Sequence, residues 1–171
     1  MRMIVIAALA ALACPASAQE WSAPAPSRAR WDMQAVGGTE YLRATSEDGE
    51  GPGKLMFLCN ERHELVVMAM LAAGDADAIV GAANSAAWII DGVLARDAAP
   101  PGSQPVVMNG ALMSLIGLDA AAYRRLQAAQ AAGIVWLSDA GASQADFQIG
   151  LAEGLAPLAA FARACNVQLY P

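Results

Sequence analysis

The sequence predicts an α+β fold: a mainly antiparallel sheet or sandwich of about seven or eight strands, with one internal and one C-terminal helix. Three observations carry this. Short apolar runs recur along most of the chain, separated by glycine-containing turns. Two of those turns, Asp91-Gly92 and Asn109-Gly110, are the dipeptides that a tight hairpin demands, since its two central residues take positive φ. Helical spacing then appears in only two places, after Asp119 and after Gly154.

Residues 1–18 have the three parts of a secretory signal peptide: the positive start Met1-Arg2, an apolar run to Ala13, and Ala16-Ser17-Ala18 as the cleavage signal. The run is shorter than the roughly 20 apolar residues of a membrane span. Cys14 follows Ala11-Leu12-Ala13, which loosely resembles a lipoprotein signal, but leucine is not in the first place and Pro15 follows, so a lipid anchor at Cys14 is the second reading after a soluble product. A periplasmic or secreted product is therefore expected, with no transmembrane segment once the signal is removed. Residues 19–30 (QEWSAPAPSRAR) read as a flexible leader, and residues 31–171 as a single domain.

Trp31–Val36 alternates like a half-buried strand, Gly37-Gly38 turns it, and Tyr41–Thr45 resumes. Ser46–Gly53 is a loop by its glycines, proline and acids. Lys54–Leu71 (KLMFLCNERHELVVMAML) reads as the central hairpin, two apolar runs split by Asn60–His63. Runs this apolar predict strands covered on both faces. Ala72–Ala87 is ambiguous. Trp88–Leu94 and Val106–Met113 are the tight hairpins, with a loop at Ala98–Pro105 between them. Asp119 caps a helix expected to reach Ala132, with Gly133 as its stop. Ile134–Leu137 and Phe147–Leu151 follow as strands. The last helix, Gly154–Ala164, tolerates Pro157 in its first turn and aligns Leu155, Leu158, Phe161 and Cys165 on one face.

Loss of Arg2 with the signal reduces the basic residues from 10 to 9 against 16 acids, a charge of −7. No basic stripe exists to follow a phosphate backbone, so no nucleic-acid partner is expected. Two cysteines, Cys59 and Cys165, remain after cleavage, and in an oxidising compartment such a pair is expected as a disulfide.

Each candidate for chemistry has a plainer structural account. His63 is the only histidine and lies in a predicted exposed turn; Ser143 lacks the second glycine of a nucleophile elbow. Met68-Ala69-Met70 puts two thioethers on one face of a strand, and thioethers select Cu(I). In a strand buried on both faces, however, methionine simply fills the core. Glu47, Asp48 and Glu50, like Asp75 and Asp77, read as solvated acidic loops. Trp88 and Trp136 belong in the core, whereas Trp31 either packs or meets a partner. No catalytic residue, cofactor or metal set is expected.

An export signal, a tryptophan soon after the leader, the Leu55-x-Phe57-x-Cys59 strand, the Phe147-x-Ile149-Gly150-Leu151 approach and a final helix ending in Cys165 make a recognisable order. It resembles small exported proteins of Gram-negative bacteria, in particular the periplasmic accessory proteins associated with type VI secretion and, more distantly, the invasion-associated locus B group. The resemblance implies a β-rich, disulfide-linked domain with no active site to carry over. The alanine-rich Ala72–Ala87 departs from it. The function expected is a non-enzymatic periplasmic or secreted binding or accessory module with a protein partner in the cell envelope. The alternatives are an inhibitor of a cationic secreted enzyme of the lysozyme or protease type, an enzyme whose carboxylates converge only in the fold, and a soft-metal carrier.

Overall fold

Two antiparallel sheets face one another across a shared core. The computed structural model describes residues 22–47, 53–95 and 104–165; the predicted signal peptide and most of the two predicted long loops lie outside these residues. The larger sheet has six strands in the order β1-β2-β3-β4-β8-β7: β1 (Ala29–Val36), β2 (Thr39–Ser46), β3 (Gly53–Cys59), β4 (Leu65–Ala72), β7 (Val106–Met108) and β8 (Ala111–Gly117). The smaller has four, in the order β10-β9-β5-β6: β5 (Ser85–Ile90), β6 (Val93–Ala95), β9 (Ala131–Leu137) and β10 (Ser143–Gly150). Three helices complete the described residues: α1 (Ala76–Ala82), α2 (Ala120–Ala128) and α3 (Leu155–Ala164). The α+β class is as the sequence predicts, with more strands and one more helix.

The turns form as their dipeptides dictate. Val36 pairs with Thr39 around Gly37-Gly38, Ile90 with Val93 around Asp91-Gly92, and Met108 with Ala111 around Asn109-Gly110. All six turn residues have positive φ, the conformation that glycine, and next to it asparagine and aspartate, tolerate best. Asp119 caps α2 by accepting from the Ala122 amide at 2.7 Å. Pro157 sits in the first turn of α3, where its missing N–H costs nothing.

Alternation decides what the sheets bury. Leu42, Leu55, Phe57, Leu65, Val67, Leu112 and Ile116 project from the larger sheet into the core. Trp88, Ile134, Trp136 and Ile149 meet them from the smaller sheet. Trp88 and Trp136 are thus core residues, as predicted. The Trp136 indole N–H donates to Ser114 Oγ at 2.9 Å, so the buried hydroxyl and the buried indole satisfy each other between the sheets.

Four details depart from expectation. The central hairpin is mid-sheet, but it is not covered on both faces: Leu55, Phe57, Val67 and Ala69 are buried, while Met56, Leu58, Val66, Met68 and Met70 alternate onto an outer face and are only half-buried. Apolar residues on both sides made the strand look doubly covered. Second, the ambiguous Ala72–Ala87 stretch holds α1, which buries Ala76 and Ile79 and carries the chain between the sheets. Third, α2 stops at Ala128, and Ala131, Ala132 and Gly133 enter β9 between β5 and β10. Alanine favours helix locally, but a central strand paired on both sides overrides that preference. Finally, β1 begins at Ala29, and part of the segment read as a flexible leader is hydrogen-bonded to β10. The Ser27 amide donates to Gln148 O at 3.0 Å, the Gly150 amide to Ser27 O at 2.8 Å, and Gln148 Nε2 to Pro24 O at 2.6 Å.

Among the described residues no helix is long and apolar enough to cross a membrane.

Candidate functional site

The smaller sheet ends at β10, and α3 covers the inner side of the β1–β2 hairpin beyond it. Trp31, on that inner side, stacks on Phe57 with ring centroids 5.9 Å apart. Its indole also lies where a Cβ on Gly154 would be, about 2.0 Å from the nearest ring atom. Only glycine at the start of α3 lets the helix come this close. Trp31 therefore packs within the chain, the first of the two roles the sequence left open.

Past Trp31 the hairpin and the helix diverge and leave a cleft of about 740 Å³. One wall is the hairpin tip (Met33, Gly38, Thr39, Glu40) and the other is α3 (Pro157, Ala160, Phe161, Ala164). The Cys59–Cys165 disulfide and His63 close one end. The disulfide forms between the pair predicted, with Cα atoms 5.7 Å apart and 106 residues between them in sequence. It anchors α3 to β3, and so fixes one wall relative to the other.

His63 is exposed, as its turn position predicts, but it is not free to wander. Asn60 Oδ1 accepts from the Arg62 and Glu64 amides at 2.9 Å each, and the His63 amide donates to Asn60 O at 3.0 Å. His63 itself has φ +58°, which this compact turn imposes. Its Nδ1 lies 3.1 Å from the carbonyl of Cys165. A carbonyl can only accept, so Nδ1 donates in this contact. The histidine thereby ties the β3–β4 turn to the end of α3, a role that no spacing in the sequence announces.

The other sequence candidates do not converge on this cleft. Ser143 lies on β10 in the smaller sheet and donates to Asp146 Oδ2 at 2.9 Å. Glu47 is exposed; Asp48 and Glu50 lie outside the described residues. Asp75 and Asp77 are exposed at the start of α1. Among the described residues no three His, Cys, Asp or Glu side chains gather in a metal-binding arrangement. The ionisable groups lining the cleft are His63 and Glu40.

No known protein family matches the chain, and no curated protein or solved structure does either.

Two surfaces stand out. The cleft is one. The other is the outer face of the larger sheet, which is graded across its strands. At the β1–β2 end it is polar: Asp32 receives Arg43 Nε at 3.0 Å, Arg43 Nη2 at 2.7 Å and Gln34 Nε2 at 2.6 Å. The bidentate Arg43 contact, helped by Gln34, holds the Asp32 carboxyl below its ordinary range, with partial burial opposing. From β3 to β7 the same face turns apolar: Met56 and Leu58, then Val66, Met68 and Met70, then Met113 and Leu115, then Val106 and Met108. Leu115, Val106 and Met108 are 43%, 46% and 41% exposed, so this side is open. The smaller sheet treats its outer face differently, laying Ala23 of the N-terminal segment against Ile89, Val135 and Leu137.

Of the cleft residues, the sequence pointed to Cys59, Cys165 and His63. It missed Met33, Glu40 and Ala160, which are brought together only by packing. The open face was legible in principle, because Met56, Met68 and Met70 alternate with the residues that become buried.

Proposed function

We propose that the protein is a non-enzymatic exported binding module that receives an apolar segment of a cell-envelope protein between α3 and the β1–β2 hairpin. The observation that carries this reading is the cleft of about 740 Å³, walled largely by Met33, Pro157, Ala160, Phe161 and Ala164. Apolar concave surfaces of roughly 300–1,000 Å³ with a few polar groups are the usual form of a binding site. The disulfide supports the reading, since a wall fixed in advance loses less freedom on binding. Glu40, the carboxylate among the cleft's lining residues, suits a cationic group on the partner.

Photo-crosslinking tests it directly. A photoreactive residue at Thr39 or Ala160 should give one discrete adduct in the native cell envelope, and one at Asp77 should give none. Ala160→Trp, which fills the cleft, should abolish the Thr39 adduct while leaving the melting temperature within a few degrees. Equal adducts at all three positions, or a Thr39 adduct that survives Ala160→Trp, would exclude the cleft.

The acidic balance of the chain, 16 acids against 10 basic residues, favours a second reading, inhibition of a cationic secreted enzyme. An excess of the protein should then slow a lysozyme or protease, and Glu40→Lys should relieve the inhibition. Unchanged rates across several such enzymes would dismiss it.

A further inference from the structure

The cleft leaves the composition of the open face unexplained. Beyond the predicted signal peptide the chain has six methionines, and five of them, Met56, Met68, Met70, Met108 and Met113, fall on this one face. Their register is close. Met68 and Met70 alternate along β4, Met56 pairs with Met68 across β3, and Met113 pairs with Met70 across β8. Core filling does not account for Met68 and Met70, because Ala69, between the two, is the buried residue, and they are half-buried on the outside. Apolar cover alone does not call for methionine either. Open sheet faces are polar or β-branched by preference.

We infer that Met68, Met70 and Met113, flanked by Met56, form a thioether site for a soft monovalent metal ion, Cu(I) or Ag(I). Directly paired residues place their Cβ atoms about 4.5–5.5 Å apart and diagonal ones about 7–8 Å. Met113 is paired with Met70 and diagonal to Met68. Three rotatable bonds in each side chain let the sulfurs turn toward a common centre. Thioethers are neutral, soft ligands that select Cu(I) and leave zinc, magnesium and calcium to nitrogen and oxygen donors. Lys54 pairs with Met70 from the β3 side, so its positive charge disfavours an ion there and leaves the β8 side, at Met113, as the better seat. Leu115 pairs with Met68 and Val106 with Met113, which surrounds the sulfurs with apolar groups. This site is separate from the cleft and does not depend on the cleft having a partner.

The test uses Ag(I), which needs no reductant, on the mature chain with its disulfide intact, so that no free thiolate competes. The methionine methyl groups are carbon-13-labelled and followed by NMR, with Zn(II) as the control. Saturable shifts of Met68, Met70 and Met113 at one equivalent of Ag(I), with Met33 unmoved and no response to zinc, support the site. Leucine keeps methionine's volume and apolar surface and removes the sulfur. Met68→Leu combined with Met70→Leu should therefore weaken Ag(I) binding by at least about tenfold, a lower bound set by what loss of even an outer-shell partner costs. Met113→Leu alone checks the third ligand with less disturbance to β4. No saturable shift, an equal shift at Met33, or full affinity in the double variant would overturn the proposal.

Discussion

Gly133 lies in β9 opposite Gln148, where a Cβ would come within 1.7 Å of the Phe147 carbonyl oxygen. That neighbour is backbone in a paired strand and cannot turn aside. Gly133→Ala should therefore cost about 3 kcal/mol or more in denaturant unfolding, at the upper end of overpacking effects. Gly81, near the end of α1, has nothing within 4 Å of the equivalent position. Gly81→Ala should stabilise by about 0.5–1 kcal/mol, since it removes only backbone freedom from a helix. The same substitution thus changes sign with tertiary surroundings. In the sequence Gly133 has the form of a helix stop, because glycine after alanines is the ordinary end of a helix. The part of β10 that lies against it, at Gln148, is more than ten residues away along the chain.

At the scale of elements, the three tight turns were legible because their requirement is local. Asp91-Gly92 nevertheless does more than turn the chain. Asp91 Oδ1 accepts from the Gln130 and Ala131 amides at 2.8 and 2.9 Å, joining the β5–β6 turn to the start of β9. Asn109 heads a turn of the same kind. Asp91→Ala should cost about 1–2 kcal/mol more than Asn109→Ala, because it leaves two backbone donors without their acceptor. Equal losses on chemical unfolding would show that the side-chain contacts contribute nothing.

The β1–β2 pair offers a titration. The Asp32 carboxyl is held below the ordinary aspartate range in the fold, chiefly by its hydrogen bonds from Arg43. Its contribution is therefore complete above the unfolded value and is lost as pH falls through the lower, folded one. Asp32→Asn should cost roughly 0.5–1 kcal/mol at neutral pH, as expected of a half-exposed pair, and the difference should shrink to nothing in strong acid. Parallel unfolding curves of the two proteins at pH 7 and pH 2 make the comparison. A difference that persists unchanged at the lower pH would point to a packing effect instead.

Over the whole molecule, the Cys59–Cys165 link encloses most of the domain, with a separation of 106 residues. A loop of that size is worth roughly 4–5 kcal/mol in the chain-entropy description. Reduction, or Cys59→Ser with Cys165→Ser, should lower the melting temperature by many degrees, and should also loosen α3 and with it the cleft. Hydrogen exchange of the α3 amides would register that loosening apart from the global loss. An unchanged melting temperature would remove the disulfide from any organising role.

By itself the sequence determined what depends on neighbours along the chain: strand-rich organisation, the Gly37-Gly38, Asp91-Gly92 and Asn109-Gly110 turns, the Asp119 cap, and the pairing of two cysteines. Tertiary structure alone decided which face of each strand meets the core. It also ended α2 at Ala128, drew the N-terminal segment onto β10, and set α3 against the hairpin to open a cleft. The physical reason is that alternation fixes the two faces of a strand, but only its position in the sheets says which face another layer covers. Met68 and Met70 turn on that difference, since the same M-x-M would be filler inside a sandwich and is instead half-buried on its open side.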